Sequence, residues 1–271
     1  MIKTSASITV QYDNIFSPFS GDQYEEGIRW VKENGFDGVE IIVSDPGLIN
    51  VEKIYNIVQE CNLEVATIST GQAYGIEKIG MTVPEAYIRE AARKRLMADV
   101  DLSEQIGKPN VTIGLIRGKG GVLNKEMEKE FLVQELAVIG EYADKKGIKL
   151  NLEPINRYEV SLLNSTMSAY ELLEEMGNPT NIGILYDTFH SNIEDVNILE
   201  TIKQACSKIS HVHLADSNRQ LPGEGHIDFP EIIKTLNKYG YNGYVSLEVL
   251  NRPDASHIRK EAGNKIKKIF Q

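Results

Sequence analysis

Cysteine is scarce in this chain: there are 2, Cys61 and Cys206, each in an apolar helical context and neither in a CxxC pair. That excludes a disulfide-stapled scaffold and leaves buried, reduced thiols as the expectation. No apolar run approaches the roughly 18 residues of a membrane span, so no transmembrane helix is expected. The N-terminal stretch MIKTSASITVQYD has no long apolar core of a signal peptide, and the expected compartment is the cytoplasm. Basic residues are outnumbered, with 29 Lys and Arg against 39 Asp and Glu, for a formal net charge of −10. A protein that tracks a nucleic-acid backbone needs the opposite balance, so no nucleic-acid partner is expected. Histidines number 5, too few for a site holding several zinc ions. No GxGxxG follows the first apolar run, so the fingerprint of a dinucleotide-binding doubly wound sheet is missing. Nor does any Ser/Pro-rich linker or low-complexity segment divide the chain.

What is present is alternation. Hydrophobic residues make up 41% of the chain, enough for a sizeable core. Short β-rich runs exchange with longer amphipathic stretches from end to end. Strands are expected at Ala6–Val10, Gly38–Val43, Glu64–Thr70, Asn110–Ile116, Leu150–Glu153, Asn181–Asp187, Ile209–Asp216 and Tyr244–Leu250. Helices fall between them. One is predicted to open at Thr82, with Glu85 three residues on in capping-box spacing. Others start at Asn124, Ser165, Asp228 and Asp254. GQAYG, RGKGG and DTFHSN read as loops, and the long stretch from Asp216 to Ile227 as a lid. Eight β/α units in 271 residues fit one closed (β/α)8 TIM barrel spanning 1–271 better than an open sheet.

In such a barrel, chemistry gathers where strands end and βα loops begin. LNLEPINRYE shows the pattern most clearly: Leu150 and Leu152 share one face, Asn151 and Glu153 the other. An inward face that ends in an unpaired carboxylate costs several kcal/mol to bury. A cation is therefore the expected partner. Asp187, His213 and Glu248 occupy the corresponding ends of the next three strands, each about one β/α unit further on. Three carboxylates and one imidazole suit a divalent ion such as Mn²⁺, with Mg²⁺ or Co²⁺ as alternatives, better than a structural zinc. Glu159, His190 and Arg219 follow at short offsets, in loops over the rim, where they could bind the hydroxyls of a polyol. Glu40 on the second strand is read either as a rim residue or as the partner of a barrel Arg or Lys. His211 shares parity with His213. Gln72, Arg117 and Lys119 border the same mouth; the latter two are read first as part of a flexible solvated loop, and in the second place as ligands of a substrate phosphate.

The segments LEPINRYE, LYDTFHSNIE, HVHLADSNRQLPGEGHIDF and SLEVL resemble, in order and spacing, the signature segments of the ketose 3-epimerases. These are the D-tagatose and D-psicose 3-epimerase group of the xylose-isomerase-like TIM barrels. The resemblance implies a metal-dependent isomerase that inverts C3 of a ketose or ketose phosphate through an enediolate. It also implies a divalent metal, usually manganese, on Glu153, Asp187, His213 and Glu248. Proton exchange would fall to Glu153 and Glu248, and substrate binding to Glu159, His190 and Arg219. Relatives of this kind are commonly dimers or tetramers, so a homo-oligomer is expected. The chief alternative is an aldose–ketose isomerase of the hydroxypyruvate isomerase type, which needs the same metal and glutamates. A metal-dependent phosphodiesterase related to abasic-site endonucleases fits the charge and histidine count less well.

Overall fold

Eight parallel strands close on themselves in sequence order, β1 next to β2 and so on to β8, which pairs back with β1. The computed structural model describes residues 1–270. The strands are β1 (Lys3–Thr9), β2 (Gly38–Ile42), β3 (Glu64–Ser69), β4 (Asn110–Ile113), β5 (Leu150–Leu152), β6 (Ile182–Asp187), β7 (Ile209–Leu214) and β8 (Tyr244–Leu247). The helices are α1 (Tyr24–Glu33), α2 (Val51–Glu60), α3 (Gly71–Glu77), α4 (Ala86–Gln105), α5 (Lys125–Lys145), α6 (Thr166–Glu175), α7 (Thr188–Glu194), α8 (Ile198–Ala205), α9 (Phe229–Lys238) and α10 (Ala255–Lys268). No helix among the described residues is long and apolar enough to cross a membrane.

The main core lies between strands and helices. One parity of each strand points outward and is apolar: Ile8, Ile41, Ile68, Ile113, Leu152, Ile184, Val212 and Val245 are all fully buried there. The other parity fills the barrel with hydrogen-bonded polar side chains. Ser5 and Ser246 meet at 2.5 Å, and Thr67 and Thr112 at 2.9 Å. The Asn151 amide donates to both threonines, at 3.2 and 3.3 Å, and accepts from Ser210 at 2.7 Å. The inward face read from LNLEPINRYE is thus the barrel interior. Register shifts between Val39 and Glu40 on β2, and between Ile184 and Leu185 on β6, adjust which residues face inward near the rim.

Side-chain caps start several helices as their sequences suggest. Asn124, Ser165, Asp228 and Asp254 each accept a backbone N–H from the first turn. The capping box expected at Thr82 does not form. The Thr82 hydroxyl donates to the Arg117 carbonyl at 2.8 Å instead, and α4 begins at Ala86 behind Glu85. Two stretches read as loops are helices: GQAYG lies in α3, and all but the first residue of DTFHSN lies in α7. The fourth strand stops at Ile113, because Gly114 turns the chain into a 3-10 turn over Leu115–Arg117.

Two loops are folded around carboxylates of their own chain. In RGKGG and the residues after it, Glu128 accepts from the N–H groups of Gly121 (2.6 Å), Val122 (3.2 Å) and Leu123 (3.2 Å) and from the Ser161 hydroxyl (3.0 Å). Arg117 fits neither the solvated loop expected there nor the alternative phosphate role. Its side chain is fully buried and donates to the carbonyls of Gly114, Leu162 and Leu163. In the second loop Asp216 accepts from Ser217 (2.7 Å), Gly223 (2.8 Å) and Ile227 (3.1 Å), and Leu221 beneath it is fully buried. The Arg219 carbonyl of that loop also accepts from the Leu250 N–H, beyond β8, at 2.9 Å. Cys61 and Cys206 are free and buried, as expected.

Candidate active site

Four adjacent strands deliver the expected ligand set to one place. The Glu153 N–H extends the ladder past β5 by donating to the Ile113 carbonyl at 3.1 Å, so its side chain keeps the inward parity of Asn151. Asp187 ends β6 and also caps α7, accepting from the N–H groups of Phe189 (2.8 Å) and His190 (3.0 Å). His213 lies on β7. Glu248 follows β8, its N–H donating to the Leu214 carbonyl at 3.4 Å. One ligand atom from each of these four residues falls within 4.8 Å of the others. Glu153 and Glu248 stand at the two ends of the arc, with Asp187 and His213 between them.

Room for Glu153 depends on a glycine: a Cβ at Gly114 would overlap its Oε2. His213 Nδ1 faces the three carboxylates at 3.6 Å (Glu153), 3.6 Å (Asp187) and 3.3 Å (Glu248). It is buried and has no hydrogen-bond partner. An orphaned nitrogen turned toward three carboxylates, two of them buried, is the environment a cation fits. Three hard oxygens and one imidazole match Mn²⁺, Mg²⁺ or Co²⁺. A second group of metal-ligating type, Glu40, His211 and His213, shares the same imidazole. Glu40 pairs with these two histidines, not with the Arg or Lys that its position suggested.

The three expected substrate residues all line a cavity of about 390 Å³ above this cluster. Glu159 is exposed at its mouth. His190 is buried, and the Asn156 amide donates to its Nδ1 at 2.8 Å. The ring proton is thereby left on Nε2, 3.9 Å from Glu153 Oε1. The same amide donates to Glu159 at 2.8 Å. Asn156 orients both, and nothing in its spacing singled it out. Arg219 is placed differently from a group standing free over the rim. Its guanidinium bonds both oxygens of Asp187, at 3.0 and 2.8 Å, and also Glu248. The rings of Phe16 and Phe189 flank it at 5.1 and 4.9 Å. Its backbone takes a left-handed φ of 61°, a conformation that costs a non-glycine residue about 1 kcal/mol.

The charges are strongly perturbed. Burial, helped by the charges of Glu248 and Asp187 and opposed by His213, pushes the Glu153 carboxyl up to about 7. Burial acts on Asp187 in the same direction, but Arg219 and the two imidazoles hold it well below the usual carboxylate range. Burial pushes His190 down to about 4, so its ring is neutral near pH 7. His213 goes the other way: the surrounding carboxylates, Glu40 first, overcome burial and raise it well above an ordinary imidazole.

Apolar side chains, Ile15, Phe16, Ile42 and Leu115, also line the cavity. Gln72 also lines it, but its amide donates to the carbonyls of Tyr12 and Asp13.

A family model described as "Xylose isomerase-like TIM barrel" matches residues 28–269. The chain is 30% identical over 251 residues to a ketose 3-epimerase of Arthrobacter globiformis, covering 86% of this chain and 82% of that protein. It is 31% identical over 230 residues to an L-ribulose 3-epimerase of Mesorhizobium japonicum, covering 83% and 75%. Among solved structures, D-allulose 3-epimerase from Methylomonas sp. in complex with D-allulose superimposes with a TM-score of 0.84, covering 99% of this chain and 97% of that one. At 22% identity that match speaks for the fold alone.

Proposed function

The chain belongs to the xylose isomerase-like TIM-barrel family, and we propose that it is a divalent-metal-dependent epimerase inverting C3 of a free ketose. The observation that carries this reading is the convergence of Glu153, Asp187, His213 and Glu248 beneath a sugar-sized cavity, with the His213 nitrogen unpartnered among them. The names of the two curated relatives, a ketose 3-epimerase and an L-ribulose 3-epimerase, support the same reaction.

The chemistry follows from the residue types. Inverting C3 requires removing a proton beside the carbonyl and returning one on the other face. A bound divalent ion such as Mn²⁺ would supply Lewis acidity that makes that proton easier to remove. Glu153 and Glu248, at opposite ends of the ligand arc, are the two groups that exchange it. His190 offers its Nε2–H to a sugar oxygen beside Glu153, and Glu159 accepts from a hydroxyl at the mouth. Arg219 keeps Asp187 charged and holds both Asp187 and Glu248 in place.

A free sugar suits the cavity better than a phosphate ester. Among the lining residues Arg219 is the one Lys or Arg, and it is committed to two carboxylates, while Asp13 and Glu159 stand at the wall. A phosphate dianion would lose its water there without gaining a free Lys or Arg partner.

Metal removal tests the reading. Exhaustive chelation is expected to abolish turnover, and Mn²⁺ or Co²⁺ to restore it, with free ketoses used at least a hundredfold better than their phosphates in kcat/KM. Full activity with no residual metal by elemental analysis would sink it.

A further inference from the structure

The two nitrogens of His213 have different neighbours. Nδ1 faces Glu153, Asp187 and Glu248 without a hydrogen bond. Nε2 points across the barrel and lies 3.2 Å from each oxygen of Glu40. Glu40 comes from β2, is fully buried, and has no Lys or Arg beside it. It also meets His211 Nε2 at 3.2 Å and accepts from the Ser69 hydroxyl at 2.5 Å. His211 in turn lies 2.9 Å from Ser246 Oγ. The Glu40 carboxylate is thus held by three groups and turned toward one edge of the His213 ring.

We propose that Glu40 is a positioning residue for the metal site: it keeps a His213 proton on Nε2, so that Nδ1 is the nitrogen given over to the ion. This rests on the metal reading given above. A neutral imidazole carries one ring proton, and its position is set by the acceptor at the other nitrogen. Without an anion at Nε2, the three carboxylates would draw that proton to Nδ1, where it would block the ion. A carboxylate behind a ligating histidine also fixes the ring plane and raises its donor strength, effects worth about ten- to a hundredfold in metal affinity. The competing assignment makes Glu40, His211 and His213 a second metal site, and stoichiometry separates the two.

The test compares wild type with Glu40→Gln, which keeps the shape but replaces one acceptor oxygen with a donor. Mn²⁺ affinity is measured by chelator competition on metal-stripped protein. The expected result is one Mn²⁺ per chain in both proteins, with the Kd of Glu40→Gln weakened about ten- to a hundredfold. In Zn²⁺-loaded, 15N-histidine-labelled protein, a slowly exchanging Nε2–H signal of His213 is expected in wild type and is lost in the variant. A Glu40 that only supports the fold would lower the melting temperature of the metal-free protein and leave the Mn²⁺ Kd unchanged, overturning the proposal. Two ions per wild-type chain, falling to one in the variant, would overturn it by making Glu40 a ligand. Wild type that binds no Mn²⁺ removes the metal reading itself, and the inference with it. Should Glu40→Gln fail to fold, Ser69→Ala loosens the carboxylate without removing its charge. A severalfold weaker Kd is expected there, and an unchanged one counts against the proposal.

Discussion

At the scale of single residues, the site is a balance of buried charge. Arg219 lies against the buried Asp187 and the half-buried Glu248, so removing it leaves both carboxylates without that cation. Breaking a buried pair in this way costs about 3–5 kcal/mol. Arg219→Ala is expected to lower the melting temperature of metal-free protein strongly, and saturating Mn²⁺ to recover most of the loss. A deficit of the same size with and without Mn²⁺ would contradict the placement of that charge. For the proton-transfer pair, Glu153→Gln and Glu248→Gln each remove a base while keeping an oxygen in place. A loss of about 10³-fold in kcat, roughly 4 kcal/mol, is expected from either, read in steady-state assays at saturating Mn²⁺. Asp99 offers a test away from the site. It is buried in α4 with both oxygens unpartnered, and burial raises its carboxyl well above the usual range. In the unfolded chain Asp ionises near pH 3.9. As pH rises past that point the unfolded state gains charge while Asp99 in the fold stays protonated, so wild type loses stability. Asp99→Asn has no such loss, and its advantage in denaturant melts is expected to grow from pH 4 to pH 7. A constant difference across that range would contradict the assignment.

At the scale of elements, the βα loops are organised by carboxylates at their centres. RGKGG does bind an anion through its backbone, as a glycine-rich loop can, but the anion is Glu128. Gly120 and Gly121 take left-handed φ values of 64° and 84°, which lets the chain wrap it. Hydrogen bonds to a charged group contribute about 1.5–3 kcal/mol. Glu128→Ala is therefore expected to destabilise the protein by at least that much in urea melts, with kcat per folded molecule unchanged because Glu128 does not line the cavity. The same wrapping explains which elements could be read from sequence. The strands show their two faces through simple alternation, and Glu153, Asp187 and His213 inherit their direction from it. α7 is only seven residues long, without an apolar stripe, and is started by a site residue, Asp187. The box at Thr82 fails because a tertiary acceptor, the Arg117 carbonyl, captures the hydroxyl that local spacing reserved for a cap.

At the scale of the whole molecule, closure of the barrel makes distant residues neighbours. Consecutive strand ends were legible because adjacent strands follow one another in sequence. Contacts across the barrel were not: Glu40 on β2 meets His211 and His213 on β7, and no sequence spacing encodes a diameter. Asn156 escaped for a related reason, since its partner His190 reaches it only after β5 and β6 pair. The metal couples to the whole fold. His213 is raised well above its ordinary range by the carboxylates around it, so metal-free protein holds a proton there that an ion must displace. Mn²⁺ binding is expected to release protons and to weaken as pH falls, which calorimetry in buffers of different ionisation enthalpy reads directly. An affinity independent of pH would contradict this. The central claim, proton exchange at C3 by two carboxylates, meets its most direct test in D₂O. A free ketose turned over by the Mn²⁺-loaded enzyme should give a C3 epimer carrying deuterium at C3 and none at C1, as read by NMR. Deuterium at C1 would assign the aldose–ketose reaction instead, and turnover without any label would contradict proton exchange through Glu153 and Glu248.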